Sequence, residues 1–110
     1  LDLGRVWQRE QAAEARAEAA AAAYRETVLR ALEEIENALA GYRAANRTAD
    51  ALRMAVGEAT RALELARLRF EAGAADQLVL LDAERTLLDL EDQHADAATR
   101  RGTALAALYK

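Results

Sequence analysis

The 110 residues suffice for one small domain and contain no proline, no cysteine and only five glycines. A net charge of −4 weighs against nucleic acid as a partner, because phosphate binding asks for a basic face. Without cysteine there is no disulfide and no thiolate metal site, and no stretch reaches the ~18 apolar residues that suggest a membrane-spanning helix.

The composition is rich in Ala, Glu, Arg and Leu, which favours long helices over a core of large side chains. The chain starts at Leu1 with no signal peptide and ends at Lys110 inside an apolar pattern. It reads as a piece of a longer protein.

A helical pattern runs from about residue 5 to residue 71. Gln11 to Ala23 is mostly alanine, with Glu10, Glu14 and Glu18 four residues apart. Its helix propensity is high but its apolar face is thin, so neighbouring helices are needed to hold it. A clearer stripe follows through Val28, Leu32, Ile35, Leu39 and Tyr42, in steps of four and three. It resumes through Ala45, Ala49, Leu52, Val56, Ala59, Leu63, Ala66 and Phe70. Gly41 and Gly57 fall inside this helix, where each costs roughly 1 kcal/mol against alanine without breaking it. Local flexibility or close packing is the simple reading of both. A helix this long exceeds what a small globular domain requires, and suits tubes, stalks and coiled coils.

Gly73 is placed to end that helix as a left-handed cap. Asp76 then suits the N-cap of a second helix, its carboxylate accepting from free backbone amides. A link over residues 72–76 is short enough to force the helices antiparallel. The second helix is expected over about 77–108. Its stripe is Leu80, Ala83, Leu87, Leu90, His94, Ala97, Arg101, Ala104 and Leu108. A second line, Leu81, Leu88, Ala95 and Tyr109, lies beside it. Two adjacent lines make a face wide enough for more than one helical neighbour. The expected fold is all-α: one long, coiled-coil-like antiparallel hairpin occupying 1–110.

Charge suggests a register. Seven acids and one base lie between Asp76 and Asp96, while six arginines stand between Arg43 and Arg69 against Asp50, Glu58 and Glu64. Folding about Gly73 would bring Arg67 near Asp82, Arg61 near Asp89 and Arg53 near Asp96. Each exposed pair would contribute roughly 0.2–1 kcal/mol and would serve mainly to fix alignment.

Chemical motifs are sparse. His94, the only histidine, reads as a seam or surface residue rather than a ligand, since metal sites need several converging groups. Asp89, Glu91, Asp92 and Asp96 lack the looped spacing of a calcium site and read as a solvated or paired face. No phosphate loop, nucleophile elbow or Glu-x-x-His pair is present, so neither an enzyme active site nor a cofactor is expected. Leu78, Asp82 and Arg85 are spaced to share one face just after the tip. Pattern alone leaves both a plain connection and a working site open there, and favours the connection.

Five segments, in order, resemble the TolC/OprM-type outer-membrane efflux proteins. Leu1-Asp-Leu-Gly-Arg5 is similar to the Phe-Asp-x-Gly-Arg that leads into that family's long helix. Tyr24, Val28, Ala31-Leu32 and Glu34-Ile-Glu36-Asn-Ala-Leu39 resemble its Tyr…Val…Ala-x-x-Glu-Val-Glu-Asp-Ala-Leu. Arg69-Phe-Glu-Ala-Gly73 and Leu78-Val-Leu-Leu-Asp-Ala-Glu-Arg-Thr-Leu-Leu88 resemble Arg-Tyr-x-x-Gly and Val-Leu-Asp-Ala-Gln-Arg followed by a Leu pair. Leu105, Leu108, Tyr109 and Lys110 resemble the closing Leu-Tyr-Lys.

The resemblance implies a homotrimeric channel with outer-membrane strands and a periplasmic helical tunnel, of which this chain is the second-repeat helical part. It implies a periplasmic adaptor protein and an inner-membrane transporter as partners, with small molecules as cargo and a Gram-negative outer membrane as location. Phe70, Gly73, Ala74, Ala75 and Asp76 fall at the adaptor-contacting tip, and Leu78, Asp82 and Arg85 at the closed entrance, the gate. Phe70 replaces the family's tyrosine, Ala74 and Ala75 occupy a loop that often carries a basic residue, and Leu3 stands where glycine is usual. The isolated segment is expected to form dimers or small bundles. The competing reading is the coiled-coil hairpin of a periplasmic adaptor or a cytosolic helical scaffold, which flanking sequence would distinguish.

Overall fold

The structure, a computed structural model, describes residues 2–109. Two α-helices account for nearly all of it: α1, Asp2–Glu71, and α2, Gln77–Leu108. Helix α1 begins at Asp2, ahead of the start expected near Arg5, so Leu3, Gly4 and Arg5 are already helical. No proline is present to stop it, and Asp2 puts a carboxylate at the positive end of the helix dipole. No described helix is long and apolar enough to cross a membrane.

The chain divides into two compact units, Leu1–Asn37 and Ala38–Lys110. The first unit is helix only, and every described residue in it is exposed. Trp7, Tyr24, Leu29, Leu32 and Ile35 each leave more than half of their surface in solvent. These side chains have no partner within the unit, in keeping with the thin apolar face of its sequence.

The second unit is the antiparallel hairpin. Every member of the stripe from Tyr42 to Ala66 is buried or half-buried, and so is every member of the α2 stripe from Leu80 to Leu108. Among the described residues the buried ones are all alanines: Ala49, Ala59, Ala66 and Ala97. Small side chains let the helix backbones approach closely, so the larger Leu52, Leu63, Leu87 and Leu90 are only half-buried at the edges of the seam. The adjacent line of Leu81, Leu88, Ala95 and Tyr109 stays exposed, with Leu88 63% and Tyr109 85% accessible. Leu39 and Phe70, at the two ends of the α1 stripe in this unit, are also exposed.

Gly41 and Gly57 leave the helix unbroken, and neither answers a close approach within this chain. A Cβ on Gly41 would meet nothing within 4 Å, and one on Gly57 would meet only the end of the Arg61 side chain at 4.0 Å. Five threonines turn their hydroxyls back on the helix, Thr60 Oγ1 donating to the Val56 carbonyl at 2.8 Å, for example.

The interhelix ion pairs expected from charge do not form. Among the described residues every salt bridge lies within one helix: Arg30–Glu26 at 3.2 Å, Arg53–Asp50 at 3.9 Å and Arg100–Asp96 at 3.1 Å. Arg53 and Asp96, expected to meet each other, each turn to a neighbour on their own helix. Arg61, Arg67, Asp82 and Asp89 are likewise exposed beside the seam, and no ion pair joins them. An i,i+3 or i,i+4 partner is already held nearby by the helix, whereas a cross-helix pair must order two long side chains in water.

The turn between the helices is closed by a Schellman motif. The Ala74 amide donates to the Arg69 carbonyl at 2.8 Å and the Gly73 amide to the Phe70 carbonyl at 3.0 Å. The motif requires a left-handed residue at Gly73, whose φ is +75°. Gly73→Ala should therefore destabilise the hairpin by about 1–2 kcal/mol, the cost of that conformation for a residue with a Cβ. Urea unfolding followed by the helical circular dichroism signal checks this, and an unchanged midpoint would contradict it.

Candidate functional site at the hairpin tip

The tip is built where α1 ends and α2 begins, so its side chains are carried on the rigid last turn of one helix and the first turns of the other. Asp76 occupies the N-cap of α2 with extended backbone, φ −77° and ψ 153°. Its carboxylate makes no capping hydrogen bond, contrary to the expectation from sequence. The Val79 amide instead donates to the Asp76 backbone carbonyl at 3.1 Å, so a backbone turn closes the helix start and leaves the carboxylate free to face solvent.

Leu78, Asp82 and Arg85 do come together. With Val79 and Leu81 they line a shallow groove of about 480 Å³ on one side of α2. Leu78 is 71% exposed, and Asp82 and Arg85 are exposed as well. The spacing of four and three residues places them in one column, as the helix period requires. Yet Asp82 and Arg85 form no ion pair within 4.0 Å, although they stand only three positions apart.

A larger open groove, about 680 Å³, lies between the two helices at the tip. Ala74, Ala75, Asp76 and Asp82 line it from the turn and α2, and Arg69 lines it from α1. Asp82 thus borders both grooves. The walls are otherwise dominated by alanine, including Ala59, Ala62, Ala66 and Ala83. Phe70 lies outside both grooves and is 40% exposed, and Gly73 lines neither.

Arg69 is the tip residue that the charge reading overlooked. That reading aligned Asp82 with Arg67 by register alone. The helix period carried the missed signal: Ala62, Ala66 and Arg69, in steps of four and three, continue one line towards the tip.

Elsewhere on α2 two acidic residues, Asp89 and Asp96, are occupied locally. Gln93 Nε2 donates to Asp89 Oδ2 at 3.0 Å, and Asp96 is held by Arg100. His94 is half-buried on the seam. Among the described residues, no three His, Asp or Glu side chains converge as a metal site.

An all-α hairpin with an alanine seam, a glycine-capped tip and a charged groove there defines a tubular or coiled-coil component, and comparison identifies the family. A family model described as outer membrane efflux protein matches residues 1–110, and the chain belongs to that family. It is 38% identical over 98 residues to outer membrane protein OprJ of Pseudomonas aeruginosa, a match covering 89% of this chain and 20% of the relative. It is 35% identical over 110 residues to the pyoverdine export outer membrane protein OpmQ of Pseudomonas putida, covering 100% of this chain and 23% of the relative. The chain thus spans about a fifth of the length of these curated relatives. No solved structure matches it.

Because the Asp76 carboxylate makes no cap bond, Asp76→Ala should cost less than about 0.5 kcal/mol, against the ~1 kcal/mol typical of a capping side chain. The urea midpoint measures it, and a full capping loss would show that the carboxylate does bind the helix terminus.

Proposed function

We propose that this segment is the periplasmic hairpin of a homotrimeric outer-membrane efflux channel, through which small molecules leave a Gram-negative cell. Its observational support is the second apolar line of α2. Leu81, Leu88, Ala95 and Tyr109 lie exposed beside a completed intramolecular seam, so the hairpin offers an apolar face to further helices. A helical tunnel wall needs such a face on every hairpin. The exposed side chains of α1 between Trp7 and Ile35 ask for neighbours in the same way.

In this reading the second-repeat hairpin occupies 1–110, descending along α1 and returning along α2. Phe70, Gly73, Ala74, Ala75 and Asp76 form the tip that meets a periplasmic adaptor, which in turn engages an inner-membrane transporter. The segment carries a conduit function with no chemical step. One relative's name specifies pyoverdine export; for this chain the cargo class is small molecules. Detached from its channel, the hairpin buries its free faces by forming dimers or small bundles.

Leu78, Asp82 and Arg85 are the gate residues. Repeated by threefold symmetry, Leu78 supplies an apolar constriction and Asp82 a ring of like charge. Such a ring repels itself and favours dilation unless counter-charges hold it. Adaptor binding at the tip then shifts the helices outward and widens the entrance. In the full-length protein, Asp82→Ala should change single-channel conductance or drug export, and an unaltered value of both would remove Asp82 from the gate.

A further inference from the structure

We infer that Arg69 is the counter-charge that holds Asp82 across the hairpin tip, making it a positioning residue for the closed entrance. The inference rests on the gate reading above. Four observations carry it. Arg69 and Asp82 line the same groove from opposite helices, Arg69 from α1 and Asp82 from α2. Among the described residues neither takes part in a salt bridge within 4.0 Å. The groove between them is open and walled mainly by alanines, with Leu65, Val79 and Thr86 as its other uncharged lining, which leaves room for a guanidinium. Asp76 lines the groove too, giving the fork of one arginine two carboxylates to engage.

Arg85 is unsuited to this role for a topological reason. It stands on α2 with Asp82, three residues away, so a pair between them fastens nothing to α1. Only a cross-helix pair ties the start of α2 to the end of α1. Arg69 also sits in the last turn of α1, where the helix dipole favours a cation. With Arg69 drawn into the groove, one positive charge faces two negative ones. Without it, the carboxylates of Asp76 and Asp82 have no positive charge from α1 in the groove, and the first turns of α2 lose their electrostatic tie to the end of α1.

The test is single-channel conductance of the full-length protein in planar bilayers, with trimer assembly checked for each variant. Arg69→Met keeps the length and apolar stem of the side chain but removes its charge. It should raise closed-state conductance roughly two- to fivefold, the range open to a partly exposed ion pair. Asp82→Ala removes the clamp together with the self-repelling ring, so it should raise conductance by less, and the double variant should match Asp82→Ala alone, because the arginine then has nothing left to hold. Arg69→Lys should stay near the unaltered channel, and exchanging the charges (Arg69→Asp with Asp82→Arg) should restore closure. If Asp82→Ala raises conductance while Arg69→Met leaves it unchanged, or if the two effects simply add, the clamp is overturned and the gate reading survives. If Asp82→Ala itself changes neither conductance nor export, the gate reading falls and the clamp with it.

Discussion

The hairpin depends on the close approach of two helices over alanine. Ala49, Ala59 and Ala66 on α1 and Ala97 on α2 are the residues it buries most deeply among those described, and each removes little apolar area from water. What alanine supplies is proximity: backbones packed closely gain dispersion contact along their length without large side chains between them. The same choice leaves most leucines half-buried or exposed. A helix pair of this kind is stable in an assembly that covers its remaining faces, which fits one segment of an outer membrane efflux protein and explains the many unpartnered apolar side chains.

From the seam follows the position of the tip. Antiparallel packing of the second unit needs a turn of five residues, and the Schellman motif at Gly73 supplies it with satisfied backbone groups rather than side-chain caps. The turn sets Arg69 on one wall of the groove and Asp82 on the other. The placement of the tip side chains is thus a consequence of backbone geometry. The charged residues contribute little to holding the long helices together, since every salt bridge among the described residues lies within one helix.

Much of this was legible in the sequence, because helical periodicity is a short-range signal. The α2 stripe from Leu80 to Leu108 could be read residue by residue, and so could the exposed second line and the cap at Gly73. What failed required knowledge of side-chain direction. Charge pattern pairs Arg53 with Asp96 across the seam, and the structure pairs each within its own helix, because sequence cannot say whether a charged side chain turns across the seam or along its own helix. Asp76 was placed at the right terminus, and its carboxylate still leaves the amides to a backbone turn. Arg69 escaped because its importance comes from a groove that exists only once the helices are folded back. The gate and adaptor-contact roles of the tip came from family resemblance, since no spacing of Leu78, Asp82 and Arg85 distinguishes a gate from a solvated helix face.

The central claim is that small size along the seam, and not charge beside it, holds this hairpin together. Two adjacent residues separate these causes. Ala97 is 6% exposed on the seam, while Asp96 beside it carries only a local pair with Arg100. The decisive measurement is the urea midpoint of Ala97→Leu set against that of Asp96→Ala in the protein that carries this segment. Overpacking at Ala97 should cost about 1–3 kcal/mol, and loss of the exposed helical pair no more than about 0.5 kcal/mol. The opposite order, with Asp96→Ala the more damaging, would mean that ion pairing governs the hairpin and that the account is wrong.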